Sequence, residues 1–238
     1  MNLVRWMSAF FQGKNTSEET SQERQTDNSK FKSIQGVVTS LCDDYGWINE
    51  TIFFNTNVIS DNAPLDIGTN VLALVEKDDT SYNLKAINVK PINDLPDRND
   101  PSKPGRRLCV KCVTSVTEDD LYISKDTFFP LYMFSGAFRP FKGDLLLVEY
   151  SMNPGTSNVN IHSVSPLNCQ YMDKVCVTSI DGRNGVVDDI VFFTLDSLHT
   201  HRGYTPALYD IVNATVVDSI QSHYTRRVVA MSPVDVLY

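Results

Sequence analysis

Three aromatic side chains in one short stretch carry the most specific chemistry in this chain. Tyr45 and Trp47 stand two apart in Asp43-Asp44-Tyr45-Gly46-Trp47-Ile48, and Phe53 follows in Ile52-Phe53-Phe54-Asn55. Side chains alternate along a strand, so Tyr45 and Trp47 share one face and Gly46 and Ile48 the other. Asn49-Glu50 is a turn signal that joins the two segments into a hairpin, with Phe54 pointing to a core. Rings on an open strand face can stack on the bases of a single nucleic-acid strand, or pack against a neighbouring protein.

Metal and acid–base chemistry are poorly supported. Cys109-Val110-Lys111-Cys112 is a lone C-x-x-C without a second pair or a flanking histidine at zinc-site spacing. On a strand its two thiols would point to opposite faces. The cysteines (Cys42, Cys109, Cys112, Cys169 and Cys176) are odd in number and scattered, which fits a reducing compartment. Of the histidines, His162, His199, His201 and His223, the pair in His199-Thr200-His201 follows a polar run and reads as surface loop. Asp78-Asp79 and Asp188-Asp189 read as turn residues. With no nucleophile elbow and no G-x-x-x-x-G-K-[ST] phosphate loop, the expectation is a non-enzyme without cofactor or metal.

The elements that must position the aromatic face emerge from an internal repeat. Val38-Thr39-Ser40, Val113-Thr114-Ser115 and Val177-Thr178-Ser179 are each followed at one distance by Phe53-Phe54, Phe128-Phe129 and Phe192-Phe193. Gly68 with Gly143, Asn83 with Asn158 and Pro91 with Pro166 keep the spacing of the first two copies, and Pro233 closes the third. The first copy contains five strand-like runs: 36–41, 45–49, 51–54, 70–76 and 83–92. Five short antiparallel strands in a unit of this size suit a small closed Greek-key barrel of the oligonucleotide-binding type.

The predicted organisation is all-β. Residues 1–30 form a short amphipathic helix and a disordered tether, 31–93 the first repeat, 94–106 a linker with Pro96, Pro101 and Pro104, 107–168 the second repeat and 169–238 the third. The short second junction predicts that the second and third repeats pack together. Leu3, Trp6, Met7, Phe10 and Phe11 fall on one helical face. That helix can dock on the body, lie on a membrane surface or enter a partner's groove.

Charge limits the partners. The chain carries a formal charge of −8 with a pI near 4.9. Each repeat is acidic by its own count: four Lys/Arg against eight Asp/Glu over 31–93, four against six over 108–168, and five against eight over 169–238. Tight non-specific binding to phosphate backbones needs clustered cations, so any nucleic-acid contact must be local.

The first repeat resembles the cold-shock domain family in Gly36-Val37-Val38, Tyr45-Gly46-Trp47-Ile48, Ile52-Phe53-Phe54 and Ala86-Ile87-Asn88-Val89. That resemblance implies a base-stacking site at Tyr45, Trp47 and Phe53, with Asn55 where the family usually has histidine, and with Tyr122 as the aromatic kept in the second copy. Asp43 and Asp44 replace the family's basic residues. The second motif reads Asp120-Leu121-Tyr122-Ile123, and the third, Asn184-Gly185-Val186-Val187, keeps no aromatic.

The whole chain resembles the cancer/testis antigen 55 family, and also the N-terminal region of the germline helicase of piwi-interacting RNA biogenesis. The anchoring residues are Gly36-Val37-Val38-Thr39-Ser40, Asp44-Tyr45-Gly46, Gly182-Arg183-Asn184-Gly185-Val186 and Phe192-Phe193-Thr194-Leu195-Asp196-Ser197. The resemblance implies expression in the male germline, a role in sperm formation and a cytoplasmic place, with granule, vesicle or acrosome association as the finer expectation.

Three functions follow as expectations. The first is a non-catalytic scaffold of tandem barrels that binds protein partners. The second is a single-stranded RNA-binding module acting through the first repeat. The third is a vesicle- or autophagy-linked adaptor. It would use the N-terminal helix and Asp43, Asp44, Tyr45 and Ile48, whose acidic-aromatic-aliphatic spacing suits strand addition to a ubiquitin-like autophagy modifier.

Overall fold

The computed structural model describes residues 31–60, 63–77, 84–92, 105–152 and 159–234. The expected N-terminal helix through Leu3, Trp6, Met7, Phe10 and Phe11, the tether to residue 30 and most of the 94–106 linker lie outside the described residues.

All five strands expected in the first repeat are present: β1 (Phe31–Leu41), β2 (Tyr45–Ile48), β3 (Ile52–Asn55), β4 (Asn70–Lys77) and β5 (Leu84–Pro91). They close into a barrel of order β1-β2-β3-β5-β4, sealed by a parallel pairing of β3 with β5. β1 begins at Phe31, ahead of the expected Gly36, because it serves two neighbours. Its first part pairs with β4 from Phe31↔Glu76 to Val37↔Asn70, and beyond a bulge at Thr39 its end pairs with β2. Val38, Ile48, Ile52, Phe54, Val71, Ala73, Val75, Ala86 and Val89 fill the interior.

The recurring Val-Thr-Ser has a physical cause. Val38 is buried, and Thr39 sits in the bulge with its hydroxyl turned to the hairpin. The Glu50 N–H donates to Thr39 Oγ1 at 2.9 Å, and Thr39 Oγ1 donates to the Trp47 carbonyl at 3.2 Å. Asn49 and Glu50, both at positive φ, are the left-handed pair of a type I′ turn. In the third repeat Asp188 and Asp189 take the same conformation, and Thr178 bonds the Asp189 N–H and the Val186 carbonyl. Asp188-Asp189 is therefore a turn pair.

The second and third repeats vary this plan. In the third, β12 (Cys169–Asp181), β13 (Asn184–Val187), β14 (Val191–Thr194), β15 (His199–Thr200), β16 (Ile211–Gln221) and β17 (Tyr224–Pro233) form a six-stranded sheet. It curls until β14 meets β17 in parallel at Phe192↔Arg227. In the second, β6 (Arg106–Cys112), β7 (Ser115–Val116), β8 (Asp120–Tyr122), β9 (Phe128–Pro130), β10 (Leu145–Met152) and β11 (Val159–Pro166) form two three-stranded sheets over one core. The closed barrel expected of the second repeat is here two sheets, with an isolated parallel bridge, Phe134↔Val164, from the segment after β9 to β11.

The repeats also pack on one another. Leu72 and Leu74 on the outer side of β4 meet Val110, Leu145 and Leu167 of the second repeat, with Ile220 of the third at the edge. Asp144 and Arg227 join the second and third in a bidentate pair of 2.7 and 2.9 Å, with side chains 3% and 0% exposed. Ser219 and Ser197 complete the bonding of Asp144 and Arg227, and Phe141 lies beneath the guanidinium. Asp218 of the third repeat accepts bonds from Ser60 at 2.9 Å and Asn88 at 3.1 Å of the first. The packing expected between repeats two and three is thus present, and the first repeat joins both.

Candidate binding faces

The β2–β3 hairpin places its side chains by strict alternation. Gly46 and Ile48 point into the first barrel, while Tyr45 and Trp47 stay 43% and 36% exposed. Gly46 is needed because a Cβ there would stand 2.4 Å from the Phe54 ring and 2.7 Å from the Ser40 carbonyl. Phe53, half-buried on the outer face, gathers the rings: Tyr45 stacks on it at 6.0 Å and 27°, and Trp47 meets it edge-on at 5.6 Å. Three of the expected site residues therefore form one cluster. Asn55, exposed, lies across from Tyr45 in the β2–β3 register.

The rim of this face is anionic. Asp43 and Asp44 are exposed at the β1–β2 corner, whose shape is set by bonds from Thr56 to both their carbonyls and from the Cys42 N–H to the Tyr45 carbonyl. A hydrogen bond with the Cys42 thiol, and repulsion from its ionised form, raise the Tyr45 phenol above its ordinary pKa. The ring face offers stacking area, with the exposed Lys85 paired beside Phe53 and the two aspartates at its corner.

The four residues of the acidic-aromatic motif are not available together. Ile48 is fully buried on the core side while Tyr45 faces outward, and both edges of β2 are taken, by β1 and β3. Strand addition needs a free edge and two side chains offered to pockets, so the folded barrel cannot present Asp43, Asp44, Tyr45 and Ile48 as a docking peptide. Tyr122 stands apart from the first cluster and pairs with Phe128 at 5.3 Å on the second repeat.

The third repeat has an aromatic pair that the hairpin motif does not reveal. Tyr224 on β17 stacks on Phe192 at 6.0 Å and 27°, matching the Tyr45–Phe53 pair. The signal was half present: Phe192 is the outward member of the repeated phenylalanine pair, but its partner comes from another strand. Tyr224 lines a cleft of about 360 Å³ between the first and third repeats. His199 and His201 line a shallower depression of about 200 Å³ with Tyr171.

Cys109 packs in the core of the second repeat and Cys112 in the layer between repeats, so the C-x-x-C thiols face apart as strand alternation requires. Burial pushes their pKa values up to about 11 and about 12, the latter helped by Asp144, so both remain thiols at neutral pH. Among the described residues no three histidine, cysteine or carboxylate groups converge to hold a metal ion.

Comparison with known proteins bears on these faces. Residues 84–167 match the cancer/testis antigen 55 N-terminal domain, and residues 14–73 match the N-terminal OB domain of RNA helicase Mov10l1-like proteins. Neither is a catalytic domain. The chain is 42% identical over 210 residues to the human RNA helicase Mov10l1, covering 86% of this chain and 17% of that protein. The mouse protein of the same name is 42% identical over 193 residues, covering 79% and 16%. The chain thus spans about a sixth of the length of these relatives. A solved structure titled "drosophila Unr CSD456" aligns over 86% of this chain and 98% of that one, at 14% identity with a TM-score of 0.24. The chain is thus similar to the cancer/testis antigen 55 N-terminal domain over residues 84–167 and to the N-terminal OB domain of the Mov10l1-like helicases over residues 14–73.

Proposed function

We propose that this chain is a non-catalytic germ-cell scaffold that binds protein partners through the aromatic face of its first repeat. The exposed Tyr45–Phe53–Trp47 cluster, rimmed by Asp43 and Asp44, carries the reading. Aromatic rings give large contact area at small entropic cost and anchor protein interfaces. Two carboxylates at the rim favour a partner with basic side chains and repel phosphates. The cores and buried polar bonds that tie the repeats together fix this face on a larger body. A role in sperm formation and a place in the germ-cell cytoplasm are part of this reading.

Single-stranded RNA is the second reading. The observation behind it is the side-by-side placement of three rings on a barrel face, the arrangement on which bases stack. The namesake relatives are RNA helicases. One experiment separates the two: proximity labelling in germ cells with wild-type protein and a Tyr45→Ala/Trp47→Ala variant, with and without ribonuclease. The scaffold reading expects neighbours that survive ribonuclease and vanish in the variant. Neighbours lost on ribonuclease treatment, with crosslinking of wild-type protein to RNA at low salt, would replace it with the second.

A further inference from the structure

The cleft between the first and third repeats has the parts of a small-ligand site, and none of them belongs to the face described above. Asn57 stands on the first-repeat wall, while Asn168, His223, Tyr224 and Arg226 come from the third-repeat side and its junction. Tyr224 has its ring braced by Phe192 and its position on the cleft wall. Asn168, only 8% exposed, lines the cleft where the second repeat passes into the third. The half-buried Arg226 lines the cleft opposite Asp218 in the β16–β17 register.

These groups differ in what they recognise. A braced flat ring takes another flat ring. An amide, with a donor and an acceptor side by side, matches the edge of a nucleobase. A guanidinium and an imidazole suit a phosphate. Asp218, opposite Arg226 in the β16–β17 register, accepts bonds from Ser60 and Asn88, the exposed Asp189 lies on the wall, and Arg226 and His223 are the basic groups of the cleft. The volume accommodates one base with its sugar.

We propose that this cleft binds one nucleotide unit, with its base on Tyr224, the base edge at Asn168 and the phosphate at Arg226 and His223. The unit can be a free nucleotide or one residue of a single strand. Because the contacts are a stack and a single phosphate site, the acidity of the chain does not oppose them as it opposes tracking along a phosphate backbone.

The full chain is irradiated with 4-thiouridine monophosphate, and separately with a short oligouridylate carrying one 4-thiouridine, and the crosslinked peptides are mapped by mass spectrometry. The crosslink is expected on the peptide containing Tyr224 and retained in the Tyr45→Ala/Trp47→Ala variant. Tyr224→Leu should weaken binding roughly tenfold, the loss that follows removal of one stacking ring. Arg226→Gln should weaken the phosphate-bearing probe and leave 4-thiouridine nucleoside binding unchanged, a distinction that a merely structural role would not produce. A tighter oligouridylate assigns the site to a strand, and equal affinities assign it to a free nucleotide. The proposal is overturned if neither probe reaches the cleft, or if crosslinks map only to the first-repeat rings. It is equally overturned if a partner peptide shields Asn168 and Tyr224 and no nucleotide displaces it.

Discussion

The first and third repeats share one hairpin plan and turn different surfaces to the solvent. Inside, the two agree closely. Gly46 lies under Phe54 and Gly185 under Phe193, where a Cβ would stand 2.4 and 2.2 Å from the ring. Thr39 and Thr178 brace the turn in the same way. Outside, the first hairpin supplies its own stacked rings, whereas the third places Val186 at that position and borrows Tyr224 from β17. Even the residue opposite the outward phenylalanine differs: exposed Lys85 in the first repeat, fully buried Arg227 in the third. Packing restrains the inner half of the motif. The outer half can change its charge and its source of aromatics while the barrel stays closed.

That contrast is most severely tested at the last pair of positions. Arg227→Met leaves the Asp144 carboxylate buried without its cation and should cost about 3–5 kcal/mol. Lys85→Met, at the matching place on an exposed face, should change stability by no more than about 0.5 kcal/mol. Urea midpoints of the two variants give the comparison, and similar values would remove the distinction between a surface position and an anchor.

A smaller effect checks the likeness of the interiors. Gly46→Ala and Gly185→Ala should each lose about 1–3 kcal/mol through overpacking against a ring. Both lie outside the left-handed region, so backbone strain does not contribute. If one is tolerated and the other is not, the two cores are less alike than the distances indicate. Smallest of all, Thr39→Val and Thr178→Val should each cost about 0.5–1 kcal/mol by removing the turn's hydroxyl. Faster hydrogen exchange at the Glu50 and Asp189 amides would localise the loss to the two turns.

Local pattern made the repeat legible before any coordinates. The Val-Thr-Ser and Phe-Phe spacing recurs because each marks a bulge, a turn brace and a buried ring that the next copy must reproduce. The first repeat's strands and its aromatic cluster could be read for the same reason, since strand alternation assigns each side chain to a face. Gly68 and Gly143 announce the connection into β4 and β10, both at positive φ. The third copy places Tyr209 there in a left-handed conformation, its N–H bonded to Val177 as Gly68 is to Val38. No spacing rule based on glycine could find it.

Other features depended on which surfaces meet. Val71-Leu72-Ala73-Leu74-Val75 is an unbroken apolar run, the mark of a strand buried on both faces, but nothing in it says that Val110 and Leu167 form the second cover. Asp144 and Arg227 are ordinary charges in sequence, and only their joint burial makes them an anchor. The open second repeat and the Tyr224–Phe192 pair have the same origin.

By itself the sequence determined the all-β repeat, the inward and outward sides of the first hairpin and the acidic character of every copy, because these depend on neighbours along one strand and on composition. The packing of three repeats into one body, the pairing of both edges of β2 and the cleft lined by Asn168, Tyr224 and Arg226 were decided by tertiary structure. Each of these needs surfaces far apart in the chain to meet and exclude water, and local periodicity carries no record of that.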